Sequence, residues 1–356
     1  MPIVRLAGTV TGEKDPNREI RAQLLYHLFK EGWDIYNSNG DQRISLANIE
    51  KKIAESDAFV FTPGATLEDL FKAVSIFVGY QTLDRNLVGK PTVLLNSDGS
   101  WDPLLALLHH LHRKGTVKQH VPDFLLLANE SREVLSLLNQ ARHNGLPDPG
   151  RQKSVPVTVS SFETPPPADH RGNICVFCSA SIEEPAYLDD GYQLGKKLAE
   201  ERLGCVSGAG NSGIMGAVVR GAVEAGGWTG GSNVPHIIEL EGLPEGLSSF
   251  WLRPDIYTRM EVMIERSDAF VIFPGGAGTV QEMLALMIFK SQNNPLMRGK
   301  PVVVFNRQDT DGFWSPLIQM LDPWRAQGEF DVVDHLTDII PTTLSGLAAQ
   351  AANAVT

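Results

Sequence analysis

Cysteine is scarce. Three residues in a chain of 356 leave no framework for disulfide stapling, so a reducing compartment, the cytoplasm, is the expectation. Long apolar runs are missing too: nothing approaches the roughly 20 consecutive apolar residues of a membrane-spanning helix. The chain opens on the strand-like run Ile3-Val4-Arg5-Leu6-Ala7, with no apolar leader before it. Positive charge is in deficit, since 31 Lys and Arg against 42 Asp and Glu give a formal net charge of -11. That balance argues against a nucleic-acid-binding surface, yet leaves room for a small anion held by backbone N–H groups. Neither of the two glycine-rich loops described below contains a lysine, which removes the P-loop reading. Nothing marks a lysine as the Schiff-base partner of a pyridoxal cofactor. His109, His110 and His112 have partial metal-ligand spacing without an acid or cysteine beside them, so neither a metal nor an organic cofactor is expected.

What is present is length and repetition. A chain of 356 residues exceeds one ordinary core and implies two domains. Residues 144–172 are rich in Gly, Pro and Ser and include Thr164-Pro165-Pro166-Pro167, the composition of a semi-extended linker. The flanking segments resemble each other. Ser56-Asp57-Ala58-Phe59-Val60-Phe61-Thr62-Pro63-Gly64 is echoed by Ser267-Asp268-Ala269-Phe270-Val271-Ile272-Phe273-Pro274-Gly275. Gly89-Lys90-Pro91 returns as Gly299-Lys300-Pro301, and Trp101-Asp102-Pro103-Leu104 as Trp314-Ser315-Pro316-Leu317. Three echoes in one order indicate internal duplication. The resulting division is a degenerate copy at 1–142, a linker at 143–170 and an intact copy at 171–356.

Short β-rich runs alternate with helical patterns, so the fold expected is α/β, as two tandem Rossmann-like parallel-sheet domains. In the second copy the pattern predicts strands at 173–178, 203–207, 228–233, 269–273 and 301–305. Helices are predicted near 186–202, 213–225, 255–266 and from 279 onward. Glycine loops at strand carboxyl ends are where such sheets bind ligands. One is Ser207-Gly208-Ala209-Gly210-Asn211-Ser212-Gly213-Ile214-Met215-Gly216, and the other Pro274-Gly275-Gly276-Ala277-Gly278-Thr279. Both read as phosphate-binding turns, their bare N–H groups aided by a helix dipole. The first copy has only Pro63-Gly64-Ala65-Thr66, two residues shorter, and Ser38-Asn39-Gly40 in place of Gly208-Ala209-Gly210. Roughly 40 residues, the length of a βαβ section, are also missing from it.

Two charged residues stand near these loops. Glu282 follows the second loop, although Thr279-x-x-Glu282 is also the pattern of a capping box, and the first copy keeps Thr66-x-x-Asp69. Arg259 precedes the strand that feeds that loop, and its counterpart in the first copy is Asn48, so cation and glycines are lost together. Cys175 and Cys178 spell C-x-x-C, but on a strand they face opposite ways and serve packing.

Residues 173–310 resemble the Lonely Guy (LOG) family of nucleoside 5′-monophosphate phosphoribohydrolases, often labelled lysine decarboxylases. The likeness runs through Ile174-Cys175-Val176-Phe177-Cys178-Ser179-Ala180-Ser181, the Gly208 loop, Arg259 with Met263, and Pro274-Gly275-Gly276-Ala277-Gly278-Thr279-x-x-Glu282. The resemblance implies hydrolysis of AMP or cytokinin riboside monophosphates to free base and ribose 5-phosphate. It assigns Arg259 and Glu282 as catalytic, and Gly208, Gly210, Asn211, Gly213, Gly216, Gly275, Gly276, Gly278 and Thr279 as substrate and phosphate binders. Ser179, Glu239 and Met260 are further candidate contacts; Glu239 is aligned to a loop acid of the family, and Met260 replaces its usual lysine. The rival reading is a nucleotide sensor or carrier without catalysis. The expected partners are a nucleoside 5′-monophosphate and further copies of the chain built on an internal pseudo-dimer, with neither nucleic acid nor membrane.

Overall fold

A computed structural model describes residues 2–7, 17–37, 55–82, 84, 87, 89–147, 158–308 and 312–353. The chain divides into two compact units, Met1–Arg151 and Gln152–Thr356.

The first unit runs β1 (Ile3–Ala7), α1 (Arg18–Lys30), β2 (Asp34–Asn37), β3 (Ala58–Phe61), α2 (Leu67–Gln81) and β4 (Thr92–Leu95). It closes with α3 (Asp102–Arg113), α4 (Val121–Phe124), β5 (Leu125–Ala128) and α5 (Ser131–Asn144). The strands form one five-stranded sheet in the order β2-β1-β3-β4-β5, parallel throughout. Val4, Leu6, Val60, Val93 and Leu95 pack against Leu24 and Leu28 of α1 and Val134 and Leu138 of α5. Strands covered on both faces need apolar side chains at successive positions, which explains unbroken runs such as Ala58-Phe59-Val60-Phe61.

The second unit begins with β6 (Asn173–Phe177), α6 (Pro185–Glu200), β7 (Gly204–Ser207), α7 (Gly213–Glu224) and β8 (Thr229–Asn233). There follow α8 (Pro235–Glu241), β9 (Ser249–Leu252), α9 (Ile256–Glu265), β10 (Ala269–Ile272) and α10 (Ala277–Ser291). It ends with β11 (Val302–Phe305), α11 (Ser315–Met320), α12 (Asp322–Arg325), β12 (Asp331–Val333) and α13 (Leu336–Asn353). Seven parallel strands lie in the order β12-β11-β10-β6-β7-β8-β9. The chain steps from β6 through β7 and β8 to β9, then crosses to the far side of β6 for β10. That reversal is a topological switch point, and the crevice beyond it is where open parallel sheets hold ligands.

The two sheets share one plan. The order β2-β1-β3-β4-β5 matches β7-β6-β10-β11-β12, and β8 and β9 have no partner among the described residues of the first unit. The roughly 40-residue deficit of the first copy falls there. Asn48 and the Ser38-Asn39-Gly40 turn lie outside the described residues.

Residues 159–164, inside the stretch whose composition suggested a linker, lie along the outer edge of β9. Phe162 N–H donates to Phe250 O at 3.0 Å and Phe250 N–H donates back to Phe162 O at 2.8 Å, an antiparallel bridge. The predicted pattern for this unit lacks α8, β9, β12 and the three helices that follow β11.

Candidate functional site

The second glycine loop differs from its counterpart by two residues, and those two change the role of every residue behind them. In the first unit Thr66 is the N-cap of α2. Its side chain accepts from Asp69 N–H, and the Asp69 carboxylate accepts from Thr66 N–H at 3.2 Å and Thr66 Oγ1–H at 2.6 Å. In the second unit the helix starts earlier: Gly276 is the N-cap of α10 and no side chain caps it. Thr279 thereby becomes the third helical residue and Glu282 the sixth, too deep to act as a cap. The capping reading of Glu282 is set aside for that reason. The first N–H groups of α10 are left for an outside acceptor at the positive end of the helix dipole. A Cβ on Gly278 would meet nothing within 4 Å, whereas one on Gly275 would lie 2.1 Å from Thr279 Oγ1. Glycine at 275 is what lets the loop close on the buried Thr279.

Arg259 stands in the first turn of α9, which Asp255 caps by accepting from Tyr257 N–H at 2.9 Å and Thr258 N–H at 2.8 Å. Its guanidinium reaches back across two strand ends. Nε donates to Ser232 O of β8 at 2.9 Å, and Nη2 to Gly208 O beyond β7 at 3.2 Å. A Cβ on Gly208 would fall 2.0 Å from Nη2, so glycine there is the space that the arginine occupies.

Three amides of the first glycine loop are committed inside the protein. Ala209 N–H donates to Ser207 Oγ at 3.2 Å, Gly210 N–H to Met215 Sδ at 3.0 Å, and Asn211 N–H to Glu241 O at 3.3 Å. This part of the loop is a close-packing turn that admits charged side chains, while α7, like α10, starts with no side-chain cap. Gly213 opens α7 with φ +58° and Gly216 lies in its first turn. Ser179 joins the two loops: its N–H donates to Pro274 O at 3.1 Å, and its carbonyl accepts from Met215 N–H at 3.0 Å. Its hydroxyl oxygen accepts from Ser181 N–H and Ile182 N–H, which makes it a turn-former. Met260, next to Arg259, is buried.

Three charges converge here. Burial pushes the Glu282 carboxyl up to about 8; Arg259 pulls it down and Glu241 pushes it further up. Glu241 is likewise raised by burial and drawn down by Arg259. A Cβ on Gly210 would sit 2.5 Å from Glu241 Oε2, which places that carboxylate directly over the first glycine loop. Glu241 is therefore an acid that α8 brings to the cluster. Residues two apart on a helix face different ways. The sequence signal for this is faint, since Glu239 and Glu241 both lie on α8 and only the phase of that helix, which starts at Pro235, distinguishes them. The arrangement is one buried and one part-buried carboxyl group within electrostatic reach of one guanidinium, beside an uncapped helix N-terminus. It can hold an anionic group at one end and stabilise a developing positive charge near the other. Cys175 and Cys178 are buried, their thiols raised by burial first and Glu282 next. Among the described residues no group of three His, Cys, Asp or Glu side chains is placed to hold a metal ion, and no helix is long and apolar enough to cross a membrane.

The family described as "Possible lysine decarboxylase" matches the chain over residues 30–138 and again over 215–337, once in each unit. Among curated proteins, the "Probable cytokinin riboside 5'-monophosphate phosphoribohydrolase LOGL1" of Oryza sativa subsp. japonica is 30% identical over 168 residues, which cover 46% of this chain and 70% of that protein. The "Cytokinin riboside 5'-monophosphate phosphoribohydrolase LOG7" of Arabidopsis thaliana is 31% identical over 150 residues, 42% of this chain and 66% of that protein. Among solved structures, the molybdenum cofactor binding protein from Rippkaea orientalis aligns with 23% identity over 50% of this chain and 98% of its own, at a TM-score of 0.40 that supports no functional inference.

Proposed function

The chain belongs to the possible lysine decarboxylase family, the LOG family, and from that membership we propose that its second unit is a nucleoside 5′-monophosphate phosphoribohydrolase. Water adds across the N-glycosidic bond: C1′–N breaks, C1′–O forms, and the base nitrogen takes up a proton. The products are a free base and ribose 5-phosphate. The observation that carries the reading is the meeting of Arg259, Glu241 and Glu282 beside the uncapped start of α10.

The phosphate docks on the free N–H groups at Ala277, Gly278 and Thr279, where the helix dipole favours an anion. Remote binding of that kind fixes the ribose and spends its energy on alignment at C1′. Cleavage builds positive charge on the ribose, and the Glu282 carboxylate stabilises it and orients or deprotonates the attacking water. Arg259 holds the nucleotide in register and keeps the two carboxyl groups from repelling each other. The relatives' names and the form of the site support this substrate class.

The test is direct. The purified full-length chain is incubated with AMP, cytokinin riboside 5′-monophosphates and the matching nucleosides, and free base and ribose 5-phosphate are quantified. Monophosphates should be cleaved and nucleosides left nearly untouched. Saturable binding of monophosphates without base release would leave a carrier or sensor and remove the hydrolase.

A further inference from the structure

We infer that residues 159–164 are a positioning strap for Arg259, so that the segment joining the two repeats is a working part of the proposed active site. The inference rests on the hydrolase reading for its catalytic consequence and on geometry alone for the strap itself.

The strap grips three elements of the site at once. Val159 packs against the small cluster of Ala209, Ile238 and Phe250, which belong to the first glycine loop, to α8 bearing Glu241, and to β9. Ser161 Oγ accepts from Leu252 N–H at 2.9 Å, fixing the point where β9 gives way to the turn before α9. The Glu163 carboxylate accepts from Trp251 Nε1–H at 2.6 Å and pairs with Arg266 at 3.1 Å; Arg266 is the C-cap of α9 and also lies 5.4 Å over the Trp251 ring. Thr164 closes the strap, its carbonyl accepting from Trp228 Nε1–H at 2.8 Å and Ser249 Oγ–H at 3.1 Å. Both ends of the segment bearing Arg259 are thus tied to one short stretch of extended chain.

Three hydrogen bonds, joined through Trp251 and Ser232 themselves, lead from the strap to the guanidinium. Glu163 holds Trp251; the Trp251 carbonyl accepts from Ser232 Oγ–H at 2.8 Å; and the Ser232 carbonyl accepts from Arg259 Nε–H at 2.9 Å. Covering a free sheet edge would require only the paired backbones of Phe162 and Phe250. The carboxylate bridging Trp251 to the helix end, and the methyls reaching the glycine loop, go beyond edge protection. The Glu163–Arg266 pair is largely exposed and contributes little by itself. Its weight comes from sharing its carboxylate with the indole of a buried tryptophan.

The experiment compares full-length wild type with Glu163→Ala and the milder Glu163→Gln, which keeps an acceptor for the indole. Loosening Arg259 should lower kcat for AMP about tenfold in Glu163→Ala, since small misplacements of a catalytic group are costly, and less in Glu163→Gln. The Kd for ribose 5-phosphate should hold, because its phosphate docks at α10 on the other side of β6. Glu282 would lose part of its counter-cation, so the rising limb of the kcat/KM profile should move to higher pH. A lowered Tm with unchanged kcat and an unchanged pH profile would overturn the inference and leave an edge cover. Amide hydrogen exchange provides a readout that does not depend on the reaction. Residues 255–266 should exchange faster in Glu163→Ala while 274–290 stay as in wild type. Unchanged exchange in 255–266 overturns the strap even if the wild-type chain releases no base, an outcome that would separately overturn the hydrolase.

Discussion

Arg259 fills the space that a side chain at Gly208 would take: Nη2 donates to the Gly208 carbonyl at 3.2 Å and lies 2.0 Å from the position of the missing Cβ. The atom in the way is the far end of a flexible chain. Gly208→Ala should therefore fold with little change in Tm, because the guanidinium can move aside. Moving it costs activity, and kcat/KM for AMP should fall by at least about tenfold. Retained activity in a correctly folded Gly208→Ala chain would show that the observed place of Arg259 is not the working one.

Glu282→Gln is expected to lower base release by a hundredfold or more, several kcal/mol of barrier. The amide preserves shape but carries no charge for the ribose cation. The start of α10 is capped by neither residue, so helix stability should be unaffected and Kd for ribose 5-phosphate unchanged. Turnover near wild type would end the catalytic assignment.

The pH response of the same residue has a definite sign. Its ordinary value is 4.5 and burial raises it to about 8. Between those values the folded chain keeps a proton that the unfolded chain has released, so stability falls as pH rises through the interval and levels off above it. Glu282→Gln removes that dependence. The Tm of the variant, measured against wild type, should climb between about pH 5 and about pH 8.5. For catalysis, the carboxylate is the working form, so wild-type kcat/KM should rise about tenfold per pH unit and flatten above about 8. A profile that falls over that range would make Glu282 a proton donor instead.

In the first unit the equivalent acid is structural. Asp69 receives both the N–H and the hydroxyl of Thr66. Asp69→Asn should lower the stability of that unit by up to about 1 kcal/mol and leave turnover unchanged. Loss of turnover at matched folding would place a second functional site in the first unit.

Much of this molecule is legible in its residues. The echoes of Ser56–Gly64 in Ser267–Gly275 give the duplication, and unbroken apolar runs give parallel strands buried on both faces. Glycine loops following such runs give the end of the sheet where Arg259 and Glu282 gather. These features are local or repeated, and local pattern is what a sequence displays.

Tertiary structure decided the rest. Whether Thr279 caps its helix depended on where α10 begins, and two extra residues moved that start to Ala277. That Glu241 comes near Arg259 depended on the phase of α8, a short helix set by its packing. β9 is only four residues long and gains its hydrogen bonds from β8 and from the strap, both distant in sequence. The strap itself, Val-Ser-Ser-Phe-Glu-Thr within a stretch of linker composition, takes its order from Trp251, Leu252 and Arg266 rather than from its own propensity. Composition and periodicity record what neighbouring residues prefer. The partners supplied by distant parts of the chain become visible only once it has folded.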